Sequence, residues 1–180
     1  REALTTADRY RDACASLNVP ADAVSEQVVE WCEAQDQDPS PSSFDGRGVF
    51  RESRSLAAFL MILPALSPSL SDSRHERDTS SPPPCTHGGI ESLVLDGCAL
   101  DAEGAQLVSN AIASHSPTLA HLSLRCCALG DTGVRRVSHA LAECMMLKTL
   151  DLAANDITMV SLQTLAAALI DVRQGERERD

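Results

Sequence analysis

The stretch LAHLSLRCCAL, Leu119 to Leu129, has leucine at its first, fourth, sixth and eleventh positions and cysteine at its ninth. The pattern recurs. IESLVLDGCAL begins at Ile90 and LKTLDLAANDI at Leu147, so successive copies lie 29 and 28 residues apart. The shared positions are Ile90, Leu93, Leu95, Cys98 and Leu100; then Leu119, Leu122, Leu124, Cys127 and Leu129; then Leu147, Leu150, Leu152, Asn155 and Ile157. A chance run of leucines would not reproduce five constrained positions three times, and self-similarity at a fixed period marks repeat architectures.

A helical pattern follows each leucine run. Leu107, Val108, Ala111 and Ile112 share one face, as do Val134, Val137, Leu141 and Cys144, and then Leu162, Leu165, Ala166 and Leu169. A short strand followed by a long helix at this period resembles the ribonuclease-inhibitor type of leucine-rich repeat. The resemblance implies an α/β fold: a right-handed solenoid with parallel strands on a concave face and helices on the convex one. Strands are expected near residues 92–96, 121–125 and 149–153.

Position nine explains the adjacent pair Cys126 and Cys127. There the chain turns away from the strand, and an inward side chain can bond free backbone groups. Asn does this well, and Cys serves as a small, weakly donating hydrophobe. Cys98, Cys127 and Asn155 are therefore one structural position seen three times, while Cys126, at position eight, is expected to be exposed beside the concave rim. No C-x-x-C and no facing histidine pair accompanies the two cysteines, which argues against a metal or redox site.

The formal net charge of −11 argues against nucleic acid or an anionic membrane as partner, since both require a basic footprint. Seven cysteines is an odd count, and Cys98, Cys127 and Cys144 fall at core positions. A reducing compartment, cytosol or nucleus, fits best. The apolar run LAAFLMILPAL is shorter than the ~20 residues of a membrane span and contains Pro64. No signal peptide is visible, and the chain starts at Arg1 and not at Met.

Residues 1–36 read as an N-terminal helical cap, because solenoids need their terminal edges covered. Ala7, Tyr10, Cys14 and Leu17 share one face; after Pro20, Val24, Val28, Trp31 and Cys32 make another. Residues 37–70 read as a degenerate first repeat. FDGRGVFRESRSLAAFL aligns with LGDTGVRRVSHALAECM, placing Phe44 with Leu129, Gly48 with Gly133, Val49 with Val134 and Leu56 with Leu141. Its helix is expected from about Val49 to Leu63, with Pro64 ending it. Residues 71–89, rich in Ser, Pro and charge, are expected to form a mobile insertion. Cys85, His87 and His75 within or near it lack a fourth ligand and make a poor zinc site. Residues 90–172 carry three repeats, the last incomplete. The charged residues 173–180 read as a tail or as the start of an insertion, and break the period where another strand falls due near position 176.

The order of parts carries a second resemblance. YRDACASLNVPADAV comes first, then GRGV and LAAFL, then an irregular segment, LAHLSLRCCALGDTGVRRV, MLKTLDLAANDIT and a charged break. This resembles the N-terminal leucine-rich repeat domain of the 78-kilodalton centrosomal protein family. The resemblance implies a centriole and basal-body protein of the cytoskeleton, active in ciliogenesis and centriole homeostasis and associated with a centrosomal ubiquitin-ligase complex. Family members continue with further repeats and a C-terminal coiled coil; no cofactor is expected.

Outward strand positions are the candidate site. They are Ser92, His121 and Thr149; Val94, Ser123 and Asp151; Asp96, Arg125 and Ala153; and Gly97, Cys126 and Ala154. Together they are expected to present a concave surface to protein partners. Ser123, His121 and Asp151 are the residue types of a hydrolytic triad, but an open strand face offers no oxyanion hole or water-excluded pocket. A non-catalytic scaffold is therefore expected. The alternatives are a GTPase-activating protein with Arg125 as arginine finger, and an axonemal protein similar to the repeats of the nexin–dynein regulatory complex. The repeat register itself has a direct test: Leu122→Ala or Leu124→Ala should lower the unfolding free energy by ~2–5 kcal/mol in denaturant titration.

Overall fold

The repeat register reappears as strand pairing. The computed structural model describes residues 4–38, 42–50, 52–66 and 89–177, apart from the side chains of residues 65 and 171–177. Strands β1 (Ser42–Asp45), β2 (Ile90–Val94), β3 (His121–Ser123) and β4 (Thr149–Asp151) form one parallel sheet in sequence order. Leu93 lies beside Leu122 and Leu122 beside Leu150, while Ser92, His121 and Thr149 form the next row. Parallel neighbours require a crossover, and a helix supplies each one. These are α3 (Ser53–Ile62), α4 (Ala102–Ser114) and α5 (Gly130–Leu141), with α6 (Met159–Arg177) after β4. α4 packs on α5, and α5 on α6.

Leucine rows and helix stripes fill the space between the sheet and the helices. Leu93, Leu95, Leu122 and Leu124 are all at most 2% exposed, and Val108, Ile112, Val137 and Leu141 are fully covered. The third repeat differs from expectation. Leu147, Leu150, Leu152 and Ile157 are only half-buried, and Leu162 and Ala166 of α6 are exposed. Their α5 counterparts, Val134 and Ser138, are buried where α6 packs on α5; no described element packs on α6 in the same way.

Position nine behaves as a ladder reaching back one repeat. Cys98 Sγ lies 4.0 Å from Gly46 O, Cys127 Sγ donates to Leu95 O at 3.1 Å, and Asn155 Nδ2 donates to Leu124 O at 2.5 Å. Asn155 Oδ1 also accepts from Cys127 N at 2.8 Å and Leu129 N at 3.3 Å. Position eight makes the turn: Gly97, Cys126 and Ala154 all have positive φ, 76°, 53° and 56°. That left-handed step turns Cys126 outward and Cys127 into the core. A second inter-repeat tie lies at the helix starts. The Asp131 carboxylate of α5 accepts from Thr158 N and Oγ1 and from Ser161 Oγ at the start of α6. These bonds, Ser161 foremost, hold its carboxyl below the ordinary value.

The first unit departs from the alignment expected above. Phe44 pairs with Leu93, so it fills position four of a strand and not the place of Leu129. Its helix starts at Ser53, with Val49 still in a turn, and Pro64 lies inside a 3-10 turn, Leu63–Leu66, that prolongs α3. Aromatic packing replaces the missing leucines: Phe44 and Phe59 centroids are 4.3 Å apart, and Trp31 stands edge-on to Phe44 at 5.2 Å. Trp31 belongs to α2 (Glu26–Gln37), which packs with α1 (Thr6–Ser16), and α1 packs on α3. The Trp31 indole donates to Ser43 O at 3.1 Å, on the outer edge of β1. At the other end α6 continues to Arg177, so residues 173–177, read as the start of a charged tail, prolong a helix. The expected mobile insertion and its Cys85, His87 and His75 lie outside the described residues, apart from Gly89.

His115 was not singled out by its sequence pattern, yet it is 2% exposed and bonded at both nitrogens. Ile90 N donates to Nδ1 at 3.2 Å, and Nε2 lies 2.9 Å from Leu63 O. Only the neutral ring with its proton on Nε2 satisfies both groups. Burial lowers its pKa below 6.5, with the Leu63 carbonyl pulling weakly the other way. Between that lowered value and 6.5 the unfolded chain binds more protons than the native one. This contribution to stability is therefore complete above about pH 6.5 and is lost as pH falls below it. Denaturant titrations across that range should show the slope, and His115→Phe should remove this part of it while lowering stability at neutral pH. The cysteine pair gives a second test. Burial pushes the Cys127 thiol up to about 12, so a maleimide should label Cys126 in the native protein and reach Cys127 only on unfolding.

Candidate concave binding face

The sheet brings the expected outward residues onto one face and bonds them to one another across repeats. Asp96 Oδ1 accepts from Ser123 Oγ at 2.6 Å and from Arg125 N at 3.0 Å. Arg125 Nη1 reaches Asp151 Oδ2 at 3.2 Å, and Asp151 Oδ1 accepts from Ala153 N at 3.0 Å. His121 Nδ1 lies 2.6 Å from Thr149 Oγ1. Each pair joins neighbouring strands or fixes the turn beyond one, so side chains that would otherwise sample many rotamers are held in place.

Between the strands lies a shallow depression of about 430 Å³, lined by Val94, His121, Ser123, Thr149 and Asp151 among others. Ser92 stands in the same row as His121. Among the outward strand positions there is no Phe, Tyr or Trp, and Val94 is the largest apolar residue of that set. It is suited to hydrogen bonds and charge pairs more than to burying an apolar helix.

Ser123, His121 and Asp151 do share the face, but their bonds run elsewhere. Ser123 turns to Asp96, His121 to Thr149 and Asp151 to Arg125, so the serine–histidine link of a triad is not formed. Arg125 is half exposed and engaged by Asp151. Among the described residues no group of three or more His, Cys, Asp or Glu could hold a metal ion, and no helix is long and apolar enough to cross a membrane.

Sequence reasoning missed Asp45 and Arg47. Asp45 pairs with Val94 across the sheet, and Arg47 Nε and Nη2 fork onto its carboxylate at 2.5–3.0 Å. The guanidinium holds the Asp45 carboxyl below its usual value. They widen the face to a fourth strand. Their signal, a charged pair flanking a glycine just after Phe44, was hidden by the misplaced alignment of that segment.

The chain matches a family model described as Leucine Rich repeat over residues 115–138 and 143–166, which hold β3, most of α5, β4 and the first part of α6. It is similar to the Tonsoku-like protein of Mus musculus, with 34% identity over 97 residues. That alignment covers 52% of this chain and 7% of the mouse protein, so the chain spans a small fraction of that relative's length. No solved structure matches. Sequence pattern, parallel sheet and the match over residues 115–138 and 143–166 fit a leucine-rich repeat type of fold, and such repeats generally bind protein partners.

Proposed function

We propose that the chain is a non-catalytic scaffold that takes a protein partner on its concave face, and that it works at the centriole and basal body in ciliogenesis and centriole regulation. The observation that carries the binding reading is the cross-strand lattice of Asp96, Ser123, Arg125 and Asp151. These groups are exposed or half-exposed, fixed by one another, and mounted on rigid strands. A partner meeting them does not have to order them first, which is how preorganisation raises affinity. The right-handed winding and the role of α1 and α2 as an N-terminal cap belong to the same reading. The location rests on the order of sequence parts, and a centrosomal ubiquitin-ligase complex is the partner class that order suggests. The GTPase-activating alternative is weaker, because its arginine finger would first have to leave Asp151.

Charge exchange tests the face. Arg125→Glu with Asp151→Lys swaps the pair without breaking it, and Asp96→Lys completes the reversal. In a pull-down from ciliated cells the triple variant, still folded by circular dichroism, should lose its partners, since truncating one side of a desolvated pair costs roughly 2–5 kcal/mol. Retained partners, with loss on deleting residues 71–89, would place binding on the irregular segment. Imaging of the full-length protein tests the location: signal at centrioles and basal bodies is expected, and signal along the whole axoneme would favour the nexin–dynein type of protein.

A further inference from the structure

Asp45, Asp96 and Asp151 share the concave face with Arg47 and Arg125, and all but Asp96 stand in an ion pair. Arg47 forks onto Asp45. Arg125 turns to Asp151, whose other oxygen takes Ala153 N. Asp96 Oδ1 accepts from Ser123 Oγ and from Arg125 N, while Oδ2 meets no donor among the described residues.

Strand offset sets this carboxylate between the two arginines. Extending the pairing of Val94 with Ser123 by two residues brings Asp96 beside Arg125. On the other side Arg47 feels its charge: Asp45 first, and Asp96 after it, hold the Arg47 pKa above its ordinary value. The Arg47 and Arg125 side chains are 63% and 53% exposed, whereas Asp96 is half-buried. A short carboxylate is thus recessed between two longer cations that have turned away from it. Arg125 keeps spare donors there, because only its Nη1 is engaged.

We infer that Asp96 Oδ2 and the free edge of Arg125 read a side-chain carboxamide, so that the concave face takes a partner segment with asparagine or glutamine at one fixed position; this rests on the concave-face reading above. Alternating charge selects the group. A partner cation on Asp96 would stand between Arg47 and Arg125, and a partner anion on Arg125 would face Asp96 and Asp151. Either meets like charge at close range. An apolar side chain would strip water from Asp96 and return no bond. A primary carboxamide is uncharged and carries donor N–H groups and an acceptor oxygen on one carbon. Its N–H goes to the carboxylate while its oxygen takes a guanidinium N–H, and bonds to ionised partners are the stronger kind. Main chain is a poorer match. A trans peptide unit turns its N–H and C=O to opposite sides, and the exposed arginines hold a backbone away from the recessed carboxylate.

The test selects a random linear peptide library on the immobilised full chain and measures the selected peptides by fluorescence polarisation. Peptides that need the concave face are those lost on the triple charge variant described above. They should share Asn or Gln at one position, and Asp for that Asn, or Glu for that Gln, should weaken binding at least about tenfold. Asp96→Asn then separates recognition from folding. It keeps an Oδ1 acceptor for Ser123 and Arg125 N and replaces only the outward oxygen, by an amide group that donates. This variant should weaken the carboxamide peptide by about tenfold and restore the acidic one; a disturbed fold would weaken both. Face-dependent peptides sharing Lys or Arg, Asp or Glu, a hydroxyl, or no residue at that position would overturn the inference and leave the scaffold reading standing. Recovery of no face-dependent peptide would overturn that reading and the inference together.

Discussion

A chain that leaves a strand and turns inside an apolar core carries N–H and C=O groups where water cannot reach them. A buried polar group left unpaired costs about 1–3 kcal/mol, so every repeat must bring its own partner for the exit turn. Position nine is that partner. Cys98 and Cys127 offer a thiol to one carbonyl of the preceding repeat, whereas Asn155 satisfies two N–H groups and a carbonyl at once. The strand rows, the left-handed residue at position eight and the outward stance of the concave side chains all depend on that turn holding. Tandem Cys126 and Cys127 look like chemistry and are geometry: one faces solvent and the other closes the turn.

How much of this could be read from residue order depends on what each residue's neighbours are. Leucine rows at a fixed period showed the three main repeats, because period and side-chain direction are tied in a strand. The first unit was misread by seven residues, Phe44 taking position four in place of eleven. Seven residues is close to two helical turns of 3.6, so sliding α3 by that amount leaves the same face apolar and the pattern cannot detect the error. His115 was silent for another reason. Its partners, the backbone of Leu63 and Ile90, lie 52 and 25 residues away, and backbone groups have no sequence signature. On the concave face the residues themselves were legible, but their pairing was not. Whether Ser123 would turn to His121 or to Asp96 is decided by the offset between adjacent strands.

His115 also ties together the two sides of residues 67–88. Leu63 precedes residues 67–88 and Ile90 follows them, and one imidazole bonds the backbone on both sides. Thr118 adds a hydroxyl bond to Ile90 O. The repeats on either side keep their register through the clasp.

Asp131 links two helices across a repeat boundary. Its carboxylate sits at the start of α5 but caps the start of α6. Helix nucleation is the costly step, and here the group that eases it belongs to the preceding repeat. Thr158 accepts from Val160 N within its own repeat, as Asp101 accepts from Gly104 N in α4, but Asp131 fixes Thr158 in place only once α5 is seated. Solenoids can in principle begin folding anywhere along their length. This contact couples the start of α6 to the seating of α5.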